Sequence, residues 1–74
     1  MKGGNKVEIT LFFKEAAKDL PKRTGEYLCC IDGEWIVLWY SSNHKLFNTY
    51  DSWPYWEAKK NSIHVTYWAE LPEL

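Results

Sequence analysis

The sequence predicts a small, mostly β member of the α+β class, and three observations carry that expectation. Two strand-like runs are separated only by Asp32-Gly33. Aromatic residues make up 18% of the chain, as five Trp, five Tyr and three Phe. The final stretch alternates into Leu71-Pro72, a natural stop. Together they call for an antiparallel meander of about four strands with one short helix, a small SH3-like barrel being the alternative topology. With 74 residues there is room for one domain, spanning 1–74, and one small core. A domain of this size needs a disulfide, a metal, a partner or bulky core residues, and the rings supply the last.

The elements follow in order. Met1 to Lys6 is small and polar and is expected to fray. Val7 to Phe13 alternates and then turns continuously apolar, as a strand does. Lys14 to Leu20 consists largely of helix formers but stops at Pro21, which leaves one helical turn. Glu26–Ile31 and Glu34–Tyr40 form a hairpin on Asp32-Gly33, a dipeptide suited to the positive φ angles of a type I′ turn. That loop fixes the register: Cys30 opposite Trp35, Cys29 opposite Ile36, Leu28 opposite Val37, Tyr27 opposite Leu38. One face then carries Leu28, Cys30, Trp35, Val37 and Trp39, the other Tyr27, Cys29, Ile31, Ile36, Leu38 and Tyr40. Both sets are apolar, so the hairpin is expected to sit centrally, covered on both sides. Leu46 to Tyr50 reads as a third strand after the polar loop Ser41–Lys45. A helix over about Pro54 to Lys60 follows, capped by Asp51 or Ser52 and ended by Asn61. Ile63 to Leu71 reads as the last strand. Which of Tyr67 and Trp68 faces inward is left open by the alternation.

Composition excludes several classes of function. A net charge of −1 with interspersed signs gives no electrostatic footprint for phosphate backbones, so no nucleic acid is expected. No apolar run approaches the length of a spanning helix and no signal peptide opens the chain, so neither a membrane nor secretion is expected and the cytosol is the default location. Cys29 and Cys30 are adjacent and on a strand point to opposite faces, which makes them poor disulfide partners and poor co-ligands. With His44 and His64 they are the only soft-ligand candidates, and their spacing matches no zinc pattern; no metal and no cofactor is expected. Mid-strand thiols among apolar neighbours are not nucleophiles, and the acids fall mostly in turns, at helix positions or in the tail, so no enzyme is expected.

Several segments carry a family resemblance: Leu20-Pro21 with Gly25-Glu-Tyr-Leu28, Trp39-Tyr-Ser-Ser-Asn-His-Lys-Leu-Phe-Asn48 with Asp51, and Val65-Thr-Tyr-Trp-Ala-Glu-Leu-Pro72. In order and spacing, over residues 11–72, the chain resembles the domain of unknown function 551 family, small proteins of phages, prophages and gut bacterial genomes. It departs from that pattern at Tyr67, where many relatives carry His, and lacks a Trp in its first segment, where Phe12 or Phe13 would substitute. The resemblance implies a mobile-element setting and no catalytic residues.

The candidate binding site is Trp53-Pro-Tyr-Trp56. Three rings in four residues around a proline cannot all point inward from one turn. Trp53, Tyr55 and Trp56 are expected to form an aromatic patch that either closes the core or anchors a partner protein, with Tyr50, His44 and Lys45 as its rim. The function expected is a non-enzymatic phage- or prophage-type interaction protein binding a host or phage protein. The alternatives are a small-ligand, nucleotide-like binder and a homodimer formed through a strand edge or ring patch.

Overall fold

A computed structural model describes residues 12–72, as one antiparallel sheet with one short helix. The strands are β1 (Lys14–Glu15), β2 (Gly25–Ile31), β3 (Glu34–Ser41), β4 (Leu46–Phe47) and β5 (Tyr67–Glu70), and α1 (Tyr55–Asn61) lies between β4 and β5. Their spatial order is β1-β5-β2-β3-β4. The meander therefore holds for β2 to β4, after which the chain crosses back to lay β5 against the other side of β2. The fold is the expected small α+β class, with five strands where about four were anticipated.

The hairpin has the register set by its loop: Cys30 pairs with Trp35, Cys29 with Ile36, Leu28 with Val37 and Tyr27 with Leu38. Asp32 and Gly33 both take positive φ, +49° and +82°, matching the right-handed twist of the strands they join. β4 is shorter than the expected third strand because Asn48 turns into the left-handed region at φ +64°. The last strand begins only at Tyr67, since Ile63 to Val65 serve as loop, with the Ile63 amide donating to the Phe47 carbonyl at 3.1 Å. Of the expected strand Val7–Phe13, all but Phe12 and Phe13 lies outside the described residues. Those two are irregular, and pairing begins at Lys14. The single helical turn over Lys14–Leu20 is present from Glu15, whose carbonyl accepts from the Lys18 and Asp19 amides, both at 3.0 Å.

The core lies on one face of the sheet. Tyr27, Cys29, Leu38, Tyr40, Phe47 and Trp68 share that face through the pairing register, and Val65 joins them from the loop. Ala16, Leu20 and Ile63 close over them. Tyr27 organises the rings, edge-on to Trp68 at 5.3 Å and to Tyr40 at 6.0 Å, while Tyr40 meets Phe47 at 4.8 Å. Each such pair contributes about 0.5–1.5 kcal/mol beyond the area it buries. Two of these rings also bond through their polar atoms: the Trp68 indole donates to the Asp19 carbonyl at 2.7 Å and the Tyr27 hydroxyl to the Arg23 carbonyl at 2.7 Å. Trp68 is thus the inward residue of its pair, 4% exposed, with Tyr67 on the opposite face.

The expectation that both faces are covered is corrected. Trp35 and Val37 are 45% and 43% exposed, and Leu28 and Trp39 are half-buried. Cys30 is the buried member of the expected set on this face, in a row between Tyr67 and Trp35. The Phe13 ring leans on Trp35 at 4.7 Å and shields part of this face. The physical reason is connectivity. Among the described residues, the turn after β1 and the loop before β5 both pack on the Tyr27 face, which leaves the other with side chains alone for cover.

Candidate functional site

The candidate site is built on the outer end of β3. Where β3 ends, a polar knot ties three segments together. Asp51 accepts from the Thr24 hydroxyl at 2.8 and 3.1 Å, from the Ser41 hydroxyl, and from the Asn43 amide at 3.4 Å. Ser41 is fully buried, and its oxygen accepts in turn from the His44 amide at 3.2 Å. The Ser42 amide donates to Thr24 at 2.9 Å. Hydrogen bonds from Ser41, then Thr24, hold the Asp51 carboxyl below its ordinary pKa. Asp51 is therefore not the helix cap that its place before Trp53-Pro54 suggested. Pro54 occupies the N-cap position, and no side chain caps α1.

From that knot a chain of rings runs outward. Tyr50 stacks on Trp39 at 5.8 Å and receives Trp53 edge-on at 5.0 Å. The Trp53 amide donates to the Tyr50 carbonyl at 3.1 Å, closing the turn. His44 Nε2 lies 2.7 Å from the Trp53 carbonyl, which can only accept, so the Nε2–H donates and fixes the ring. Its face then stands 6.0 Å from Tyr55.

The short helix that follows closes its first turn on itself and is tied to the rest of the fold at its last residue. The Pro54 carbonyl accepts from the Glu57 and Ala58 amides, Ala58 is fully buried beneath the helix, and Asn48 Nδ2 donates to the Asn61 carbonyl at 3.0 Å. Tyr55 and Trp56 point away from this anchorage and are 59% and 67% exposed.

The structure thus brings together Tyr50, Trp53, His44 and Tyr55, and gives them different roles. Trp53 is half-buried and serves as a support, Tyr55 and Trp56 as the free surface. Lys45 is exposed and holds φ +60°, its amide donating to the Ser41 carbonyl at 2.7 Å. It lines a depression of about 360 Å³ with Ala16, Leu20, Phe47 and Ile63. Thr24, Ser41 and Asp51 were not read as site residues. Hydroxyls and a carboxylate far apart in sequence carry no local signal of converging, beyond the presence of Ser41 and Asp51 in one of the segments that carry the resemblance.

Burial pushes the Cys29 thiol up to about 11, which keeps it protonated at neutral pH. Among the described residues no three His, Cys, Asp or Glu side chains converge as metal ligands do, and no helix is long and apolar enough to cross a membrane. Comparison with family models, with curated proteins and with solved structures finds no match.

Proposed function

We propose that this chain is a non-enzymatic binding module that engages a protein partner through the rings at the start of α1. The observation that carries the reading is the exposure of Tyr55 and Trp56 on a helix flanked by the His44 bond to the Trp53 carbonyl and the Asn48 bond to the Asn61 carbonyl. Rigid aromatic side chains held ready lose little conformational entropy when they dock, which is why such residues dominate interface energies. The knot around Asp51 and the His44 bond to Trp53 act as the frame that presents them. The resemblance to the domain of unknown function 551 family supports a host or phage protein as the partner, met in the bacterial cytoplasm. A protein partner suits this geometry better than a flat small ligand, because Tyr55 and Trp56 stand outward rather than lining a recess.

The test is capture of partners from host lysate with and without phage infection, using the parent, Trp56→Ala and Tyr55→Ala, with Lys22→Ala as an exposed control away from the rings. Each helix variant is expected to weaken a captured partner by about thirty-fold, the effect of a roughly 2 kcal/mol anchor, with the fold unchanged by circular dichroism. Partners held equally by the parent and both helix variants would remove the reading.

A further inference from the structure

We infer that the outer edge of β3 is a self-pairing site, and that two copies of this chain join there into one continuous antiparallel sheet. The inference starts from how the sheet treats its edges. Unpaired edge strands template association unless they are short or charged. Both terminal strands obey: β1 is the pair Lys14–Glu15, and β4 is the pair Leu46–Phe47. β3 does not. β4 covers it only at Tyr40 and Ser41, and among the described residues nothing pairs with its outer side ahead of Trp39. Along that stretch Glu34 is the single charge, there is no proline, and Trp35, Ile36 and Val37 are all substantially exposed.

The hydrogen-bond phase selects the occupant. Ile31 and Glu34 flank the two-residue loop and exchange both backbone bonds, so the even-numbered residues of β3 bond to β2 and the odd-numbered ones face outward. The Trp39 carbonyl confirms the phase by accepting from the Asn48 amide, outside β2, at 2.6 Å. Among the described residues, the outward groups left unpaired ahead of Trp39 are therefore the N–H and C=O of Trp35 and Val37. A second copy related by a two-fold axis through Ile36 satisfies all of them at once: Trp35 exchanges both bonds with Val37 of the copy, and Val37 with Trp35.

The side chains agree with that register. Trp35 meets Val37 on the open face, Ile36 meets its own counterpart on the other, and Glu34 falls opposite Leu38, so no like charges confront each other. Ile36 is 49% exposed although it shares the core face, and the pairing supplies the neighbour it lacks.

The experiment is sedimentation equilibrium of the full chain, alone and as Ile36→Lys and Ile36→Glu. The parent is expected to sediment as a dimer of the 8.8 kDa chain. Each variant places two like charges face to face and is expected to weaken association by at least about ten-fold. An equimolar mixture of the two variants is expected to restore the dimer, because only a register centred on Ile36 sets Lys against Glu. Amide exchange adds a readout on the unmodified chain: Trp35 and Val37 are expected to exchange faster on dilution. A parent that remains monomeric, a dimer indifferent to both substitutions, or variants that the mixture fails to rescue would each overturn the inference. So would Trp35 and Val37 amides whose protection does not depend on concentration, which would assign the edge to the chain's own segment ahead of Phe12.

Discussion

The two faces of the sheet are built from the same kinds of residue and do different work. On one, Tyr27, Tyr40, Phe47 and Trp68 interlock edge to face, with the Tyr27 and Trp68 polar atoms bonded to backbone carbonyls. On the other, Trp35, Val37 and Tyr67 stand partly in water, with Phe13 and Tyr50 laid against Trp35 and Trp39. Aromatic content alone therefore does not mark the core. What separates the faces is where the connections pass: the Ala16–Leu20 turn and the Ile63–Val65 loop both cross the Tyr27 face. Among the described residues, no connection crosses the open face.

Substitutions can break this contrast, and the largest effect is expected at Trp68. Trp68→Ala removes a ring from the packed cluster and strands the Asp19 carbonyl it bonds. It should cost about 3–5 kcal/mol, a large share of the stability of so small a domain. The matched substitution Trp35→Ala, on the open face, should cost about 1 kcal/mol or less. Urea midpoints of the two variants check the pair, and equal losses would mean that the faces are energetically alike.

The next effect concerns the hairpin that generates both faces. Gly33 holds φ +82° with open space where a Cβ would lie, so the penalty of Gly33→Val is conformational rather than a clash. A β-branched residue there should cost about 1–3 kcal/mol, again read from the urea midpoint.

The smallest effect is expected at the knot, and it depends on pH. The Asp51 carboxyl is held below its ordinary value by Ser41 and Thr24, so its contribution is complete above the unfolded value near 3.8. It is lost as pH falls from there through the lower folded value. Asp51→Asn should therefore be less stable than the parent at neutral pH, and the two melting temperatures should converge below about pH 4. Parallel curves across that range would show that the charge is not what the hydroxyls recognise.

The hairpin was fully legible because a two-residue loop dictates every pairing beyond it, and Asp32-Gly33 is specific for that loop. Also legible were the α1 segment around Pro54 to Lys60 and the surplus of rings at Trp53 to Trp56. The sheet order was not, because the return of β5 to pair with β2 rests on contacts between Cys29 and Trp68 that no local pattern encodes. The role of Asp51 was hidden for the same reason: next to Trp53-Pro54 it looks like a cap, and only the fold brings Thr24 within reach. The open face was misjudged because alternation shows which side chains share a face and not whether anything crosses it. Of the candidate site, exposure separates Trp56 from Trp53, and that distinction depends on how the turn docks.

Indole N–H exchange, followed by nuclear magnetic resonance in dilute solution, tests most directly whether one set of rings carries the fold while another is free. Trp68, buried and bonded to the Asp19 carbonyl, should exchange only with global unfolding, whereas Trp56 should exchange at nearly the rate of a free indole. Trp56 protected as strongly as Trp68 would contradict the account, because the rings of α1 would then belong to the core.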